Sequence, residues 1–224
     1  LKQNITGLAH DIRTPLTGAR GYVQFAMECQ DSAKQEHYLQ AAEKRLSELA
    51  DMLEEMFLYT KLTSEGYSLP LRKLQALPVL GECLISLYTR FEETGISPHV
   101  AFESEGFQIN ADPDALKRIF LNLLQNALVH GAGDISISQE QNRITFENPL
   151  PKDGGVPDPV QMFDRFYKAD TARSKGSSGL GLFIVKELME RMDGHVSART
   201  DQGILAITLQ FPPVSQGLSF TGAP

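Results

Sequence analysis

Two short segments about 170 residues apart carry side chains that suit phosphate chemistry. In residues 10–16 (HDIRTPL), a carboxylate stands beside a histidine, and a hydroxyl follows one helical turn later. Residues 179–182 (GLGL) form a glycine turn directly before an apolar helical pattern. An imidazole nitrogen is a nucleophile, and a glycine turn at a helix N-terminus holds phosphate. The two segments therefore predict a phosphate acceptor and a phosphate cradle.

The neighbours of His10 fit the acceptor role. The helical period places His10 on the solvent side of its helix, with Thr14 one turn further along the same side. Asp11 could hold the proton of one ring nitrogen and leave the other nitrogen as the nucleophile. Thr14 could orient a water for the hydrolysis that removes the phosphoryl group again. The alternative is a solvent-exposed His-Asp pair with no function, which is the commoner meaning of such a pair by itself.

Residues 4–62 predict two long helices joined by a short polar break around residues 31–35. In each helix the apolar residues recur in steps of three and four, which is typical of one buried stripe. Two such helices form an antiparallel hairpin, and a lone hairpin leaves each stripe half covered. We expect two chains to pair into a four-helix bundle; the alternative is that the second domain covers the stripes. The apolar positions are Ile5, Leu8, Ile12, Leu16, Ala19, Val23 and Ala26, then Leu39, Ala42, Leu46, Leu49, Leu53 and Met56.

Beyond a breaker-rich stretch at residues 64–70, strand and helix patterns alternate. Together they predict an α+β sandwich, a mixed sheet with helices on one face. Asp112 and Pro113 mark a helix start, and Gly95 marks a helix end. Helices are predicted at 78–93, 112–130 and 179–192, and strands at 99–103, 107–110, 134–138, 143–147, 196–200 and 205–211.

The composition narrows the class of protein. With 224 residues and 42% hydrophobic residues, the chain can bury a globular core. A formal charge of -7 argues against nucleic acid or an anionic membrane surface as the main partner. Cys29 and Cys83 give neither a disulfide framework nor metal-ligand spacing.

Four motifs in a fixed order make the chain resemble the sensor histidine kinases of two-component systems. They are an H-box at residues 9–16 (AHDIRTPL), an N-box at 122–127 (NLLQNA), an F-box at 163–167 (FDRFY) and a G2-box at 179–182 (GLGL). The resemblance implies a dimerisation and histidine phosphotransfer domain at 1–65, a linker at 66–70, a Bergerat-type ATP-binding domain at 71–213 and a tail at 214–224.

The resemblance also implies a reaction. His10 is phosphorylated by ATP with Asp11 as base, and the phosphoryl group passes to an aspartate of a response regulator. Thr14 then supports dephosphorylation of the regulator. The implied assembly is a homodimer that binds a receiver domain and no nucleic acid, in the cytoplasmic portion of a membrane-anchored bacterial protein. The alternative is a degenerate kinase that acts as a regulator-binding phosphatase or scaffold.

Asn122 and Asn126 form an i, i+4 pair whose amide oxygens suit Mg²⁺. The resemblance gives this pair the contacts to Mg²⁺ and triphosphate. Val129 and His130 stand where the family commonly has a lysine and an aromatic residue, so one phosphate-facing cation is missing from that position. Lys168, Arg173 or Lys175 could supply it. The implied nucleotide-binding set is Asn122, Asn126, His130, Asn148, Lys168, Ser178, Gly179, Leu180 and Gly181.

The adenine contact departs most from the family pattern. The family usually has Asp-x-Gly-x-Gly after a strand, and its Asp accepts from the adenine amine. Here Asn148 follows the strand at 143–147, and an amide oxygen can also accept. Asp153 is the rival candidate, further along the chain. We predict that Asn148 makes the contact.

Overall fold

The computed structural model describes residues 2–64, 66–153, 155–167 and 179–213, with side chains from residue 11 onward. Its elements, in chain order, are α1 (Lys2–Glu28), α2 (Ser32–Leu62), β1 (Arg72–Gln75), α3 (Ala76–Ser86), α4 (Tyr88–Thr94), β2 (Pro98–Phe102), β3 (Gln108–Ala111), α5 (Pro113–His130), β4 (Ile135–Glu140), β5 (Arg143–Pro149), a 3₁₀ turn (Gln161–Phe163), α6 (Gly181–Arg191), β6 (His195–Asp201) and β7 (Ile204–Gln210).

The first two helices form the predicted antiparallel hairpin. The break is shorter than the predicted 31–35, because the Asp31 carboxylate accepts from the Ala33 and Lys34 amides at 3.0 and 3.3 Å and starts α2 at once. The rings of Tyr22 and Tyr38 lie 6.5 Å apart, which sets the two helices side by side near the turn.

Small residues line the contact between the two helices. Ala19, Ala26 and Ala42 are each only 3% exposed. A second stripe of large apolar residues runs along the same hairpin and stays between 39% and 64% exposed; it consists of Leu16, Val23, Leu39, Leu46, Leu53 and Phe57. We call these six residues the exposed stripe. The rest of the described chain leaves these six residues open, whereas Met56 at the end of the predicted stripe packs against the core of the second half.

The second half contains the predicted mixed sheet. Its strand order is β2-β4-β5-β7-β6, with β2 parallel to β4 and the other pairs antiparallel. The six predicted strands agree with the structure to within two residues at each end. One strand was missed: β1 pairs with β3 in a separate two-stranded ribbon. Three of the four residues of β1 are exposed, so the alternation that marks a half-buried strand is absent.

Two predicted helices differ from the observed ones. The predicted helix at 78–93 is two helices, α3 and α4, which meet at Leu87. Neither glycine nor proline marks that break. Gly95 ends α4 in the left-handed conformation at φ 67°, as predicted. The helix predicted from residue 179 begins at Gly181 instead.

The core lies between one face of the sheet and the helices α3, α5 and α6. The Phe120 ring on α5 packs 5.8 Å from the Phe146 ring on β5. Cys83 on α3 is fully buried, and burial raises the pKa of its thiol to about 11. The thiol is therefore protonated at neutral pH and packs as a small apolar group. No described helix is long and apolar enough to cross a lipid bilayer.

Candidate nucleotide and phosphoacceptor sites

The acceptor segment lies inside α1. The helix continues through Pro15, which is buried, while Asp11 is half-buried and Thr14 is exposed. The hydroxyl of Thr14 is therefore at the hairpin surface, one turn after His10. The His10 side chain lies outside the described side chains, so its outward direction stays a prediction.

A row of polar side chains runs along α5. The helix α5 begins at Pro113 because the Asp112 carboxylate just before it accepts from the Ala115 amide at 2.8 Å. Asn122, Asn126 and His130 follow at intervals of four, so they share a helix face over about 12 Å. We call these three residues the α5 row.

The glycine turn lies at the Asn122 end of the α5 row. Asn122 is 6% exposed, and its Nδ2 donates to the Gly181 carbonyl at 3.2 Å. Gly179 adopts φ 71°, and a Cβ there would lie 2.9 Å from the backbone of Phe166. Glycine is therefore required at 179, because the F-box backbone packs directly on the turn.

Leu180 precedes the first residue of α6 and gives its N-terminus no side-chain cap. Ile184 donates to the Leu180 carbonyl at 2.8 Å, which closes the first turn of α6, so the amides of this turn point out of the N-terminal end of the helix. Such amides, together with the helix dipole, favour an anion. The phosphate end of the candidate site is therefore Asn122 with the start of α6.

Asn148 lies at the opposite end of the α5 row. It sits within β5 opposite Leu205 and is 5% exposed. Its Nδ2 donates to the Pro149 carbonyl at 3.2 Å and borders Gly131, the residue that follows α5. The rival Asp153 is exposed, beyond the end of β5. The structure thus brings Asn148 to the α5 row.

The other predicted nucleotide contacts cannot be placed. Lys168 and Ser178 lie outside the described residues, as do the alternative cations Arg173 and Lys175. In the described part of the chain, no group of three or more His, Cys, Asp or Glu side chains could hold a metal ion.

Sequence reasoning missed a contact between the hairpin and the glycine turn. The Tyr59 hydroxyl on α2 accepts from Nη1 of Arg165 at 3.1 Å, and this hydrogen bond raises the pKa of the Arg165 guanidinium above its usual value. The Tyr59 ring lies 6.2 Å from the Phe166 ring and 5.6 Å from the Phe183 ring. Phe166 precedes the segment 168–178 and Phe183 follows it, so Tyr59 contacts both sides of the glycine turn.

A second contact joins the other end of α6 to the hairpin. Arg191 is the last residue of α6, and its guanidinium donates to the carbonyls of Leu62 and Tyr67. It also lies over the Tyr67 ring at 5.4 Å. Its Nε is the one buried side-chain nitrogen or oxygen in the described residues that has no hydrogen-bond partner. Nothing local in the sequence indicates this contact, because its partners lie more than 120 residues away.

Comparison with known proteins gives the class of both halves. Residues 1–65 match the family model of the His Kinase A (phospho-acceptor) domain. Residues 111–215 match the model of the histidine kinase-, DNA gyrase B- and HSP90-like ATPase. Together the two models match roughly three quarters of the chain, in the order of a phosphoacceptor hairpin followed by an ATPase domain. The chain belongs to the sensor histidine kinases.

Curated relatives agree with this family. The sensor histidine kinase YcbM of Bacillus subtilis is 27% identical over 89% of this chain and 67% of the relative. Sporulation kinase A of the same species is 28% identical over 94% of this chain, and the sensor protein VanS of Enterococcus faecium is 28% identical over 92%. The chain spans only 34% and 55% of these last two relatives.

Solved structures share the fold. The histidine kinase AdeS of Acinetobacter baumannii superposes with a TM-score of 0.70 at 18% identity, over 90% of this chain and 96% of that one. The histidine kinase ThkA in complex with the response regulator protein TrrA also gives 0.70 at 18% identity, over 94% of this chain and 61% of that one. At these identities the likeness shows the fold alone.

Proposed function

We propose that this chain is the phosphotransfer and ATP-binding portion of a sensor histidine kinase. It transfers the γ-phosphoryl group of ATP to His10 and then to an aspartate of a response regulator. One observation carries the proposal: a phosphoacceptor hairpin is joined to an ATPase fold whose α5 row runs from the N-terminus of α6 to a buried asparagine.

The acceptor chemistry assigns a role to each residue near His10. The unprotonated nitrogen of the neutral imidazole attacks the γ-phosphorus. The N–P bond forms as the bond from the γ-phosphorus to the β–γ bridging oxygen breaks and ADP leaves, and the ring then loses the proton on its other nitrogen. Asp11 on the flank of α1 takes that proton or holds the tautomer. Thr14 is exposed one turn later and orients the water that hydrolyses the regulator's acyl phosphate. The chain would then be both kinase and phosphatase.

ATP lies along the α5 row in this proposal. The phosphates lie at Asn122 and at the amides of the first turn of α6. The amides favour the negative charge of the phosphates, and the Asn122 amide oxygen favours their counterion. The base lies at Asn148, beside the C-terminal end of α5, with His130 between base and phosphates. Lys168, Ser178, Gly179 and Leu180 complete the set that we assign to the nucleotide.

Mg²⁺ fits the residues present. The Asn122 amide donates through Nδ2 to Gly181, which leaves its hard carbonyl oxygen for a cation. Asn126 offers a second amide oxygen one turn further along. When bound, Mg²⁺ would neutralise charge on the transferring phosphates. The residues of this chain would hold the phosphates in one position relative to Mg²⁺.

We further propose a homodimer with a response regulator as partner. The exposed stripe supports the dimer, because two such stripes bury each other in a four-helix bundle. The ThkA structure was solved with a response regulator, which supports the second partner. We assign residues 1–65 to the hairpin, 66–70 to a linker and 71–213 to the ATPase domain, in the cytoplasm beneath a membrane anchor, where ATP and regulators are found.

The test is His10→Gln. The variant should lose acid-labile phosphorylation from labelled ATP, because its amide is not a nucleophile of comparable strength, while the affinity for ATP in calorimetry stays unchanged. His37→Gln is the matched control, since His37 is exposed on the other helix of the hairpin and should label normally. Normal labelling of His10→Gln would exclude His10 as the acceptor.

A further inference from the structure

A triphosphate is densely charged, yet the α5 row of Asn122, Asn126 and His130 holds no residue with a permanent positive charge. The next residue in the same series is Arg118, four positions before Asn122. We propose that Arg118 is a catalytic residue whose guanidinium binds the γ-phosphoryl group of ATP while that group passes to His10. The inference rests on the proposed function, in which the phosphates of ATP lie at Asn122.

Arg118 continues the line along which the nucleotide lies. Asn148, at the base end, borders Gly131, which is nine residues after Asn122 and about 14 Å from it along α5. Arg118 lies about 6 Å beyond Asn122 in the opposite direction. A helical side chain leans towards the N-terminus of its helix, so the guanidinium reaches past Asn122 and away from the base. The part of a triphosphate that extends past Asn122 is its γ-phosphoryl group.

The guanidinium of Arg118 faces the hairpin at the level of the acceptor. Its Nη2 lies 3.9 Å from the Glu54 carboxylate on α2. The rings of Tyr22 and Tyr38 mark two facing positions on α1 and α2. Glu54 is sixteen residues after Tyr38 and therefore stands opposite the residue sixteen before Tyr22. That level of α1 is about one helical turn from His10, so Arg118 lies between the phosphate end of the α5 row and the level of the acceptor.

The partner that Arg118 has in this structure holds it only weakly. The Glu54 side chain is 72% exposed and 3.9 Å is a long distance for an ion pair, so water and salt screen the attraction. Arg118 also borders an open groove of about 500 Å³ between α2 and α5, which gives its guanidinium room to turn. A phosphoryl group offers more negative charge than one carboxylate, with oxygens that match the planar fork. The γ-phosphoryl group therefore takes Arg118 from Glu54.

In the transfer step Arg118 stabilises charge and keeps all its protons. The unprotonated nitrogen of His10 forms the N–P bond as the bond from the γ-phosphorus to the β–γ bridging oxygen breaks, and the electron pair of that bond leaves with ADP. In the transition state the charge spreads over the three other oxygens of the phosphoryl group. The guanidinium donates hydrogen bonds to two of these oxygens. It is carried by the helix that also carries Asn122, so binding of the phosphates brings it to the reacting group.

The first experiment measures affinities of the full chain with Mg²⁺ by calorimetry, for ADP and for the β,γ-imido analogue of ATP. Arg118→Met keeps the apolar stem and removes the charge. It should bind the triphosphate analogue roughly tenfold or more weakly and ADP as before, because ADP has no γ-phosphoryl group. Lys117→Met is the matched control: it loses the same charge one residue earlier, where Lys117 pairs with Glu82 of α3 at 3.6 Å. Both affinities of the control should stay unchanged.

The second experiment measures the rate at which His10 is labelled from saturating labelled ATP. Arg118→Met should lower this rate roughly a hundredfold or more, the effect of removing one donor to a developing charge. Arg118→Lys should recover part of the rate, since an ammonium supplies the charge without the planar fork. Glu54→Gln should keep the rate, because it breaks the ion pair between the two halves but leaves the guanidinium for the phosphoryl group.

The outcomes separate this inference from the proposed function. Equal losses of affinity for ADP and the triphosphate analogue in Arg118→Met, or normal labelling of that variant, overturn the inference while the kinase activity of the unaltered chain stands. If Glu54→Gln loses as much rate as Arg118→Met, the ion pair between the halves is what matters, and the contact with the phosphoryl group is excluded. If the unaltered chain neither binds these nucleotides nor labels His10, the proposed function itself is wrong.

Discussion

At the scale of residues, two hydrogen-bonding side chains differ in their burial and therefore in the role that each can have, one in binding and one in hydrolysis. Asn148 is buried and held by its backbone surroundings, whereas Thr14 is exposed on α1. A buried amide can select a ligand by the position of a donor. An exposed hydroxyl beside an acceptor histidine can instead orient a water. The two positions therefore suit binding and hydrolysis, respectively.

Thr14→Ala should keep autophosphorylation of His10 but lengthen the lifetime of the phosphorylated regulator about a hundredfold or more, the lower end of the range of roughly 10²–10⁴-fold for positioned proton-transfer groups. The measurement is the decay of labelled regulator with each variant. Thr94→Ala is the control, because that hydroxyl donates to the Arg90 carbonyl at 2.8 Å at the end of α4. Equal lifetimes for Thr14→Ala and the unaltered chain would reject the role of this hydroxyl.

At the scale of elements, α2 contacts the other parts of the chain and leaves some apolar surface open. Ala42 is buried in the hairpin, and Tyr59 and Leu62 contact the ATPase half. Leu46 and Phe57 of the exposed stripe lie beside Ala42 and stay open, so this part of the surface is left for another chain. An open groove of about 500 Å³, lined in part by Leu53, Phe57 and Arg118, continues the exposed stripe towards the ATPase half.

Leu46→Glu should weaken the dimer, because Leu46 is 49% exposed in one chain and a buried carboxylate is costly without a partner. We expect the dissociation constant to rise roughly tenfold or more, measured by sedimentation equilibrium, with unchanged helix content by circular dichroism. Ser47→Glu adds the same charge one residue further on, on a different side of α2, and should leave the dimer intact. Unchanged association of Leu46→Glu would exclude the exposed stripe as the dimer interface.

At the scale of the whole molecule, α6 joins the two halves at both of its ends. Its first turns contact Tyr59 through Phe183, and its last residue, Arg191, binds the carbonyls of Leu62 and Tyr67. Leu62 ends α2, so the guanidinium meets the negative end of a helix dipole. The helix that begins at the glycine turn is thereby fixed to the helix that ends the hairpin.

Arg191→Met should lower the free energy of unfolding by about 1.5–3 kcal/mol, the range for hydrogen bonds to charged groups, because two carbonyls lose their donor. Chemical denaturation measures this loss. Arg191→Lys should recover part of it, since an ammonium supplies the charge but not the planar fork. Arg199→Met is the control: Arg199 pairs with Glu147 at 3.4 Å on the surface, where such a pair contributes about 0–1 kcal/mol. Equal losses for the two methionine variants would contradict the junction role of Arg191.

Much of the fold could be predicted because its signals are local. Asp112 and Gly95 mark helix ends through bonds and backbone angles within a few residues. The period of apolar residues likewise predicted the helix pair and six strands, of which five form the mixed sheet and the sixth, β3, pairs with β1. The break between α3 and α4 and the exposed strand β1 carry no such local signal, so they were missed.

The sequence by itself determined the chemistry of the site: a histidine beside a carboxylate, two asparagines one turn apart and a glycine turn before a helix. Tertiary structure decided how these groups are oriented and joined. The pairing of β5 with β7 places the buried Asn148 beside Gly131, at the end of α5. Tyr59 and Arg191 join the hairpin to α6 across more than 100 residues of chain. Such contacts depend on which surfaces the whole fold brings together, and a local pattern of residue types does not specify that.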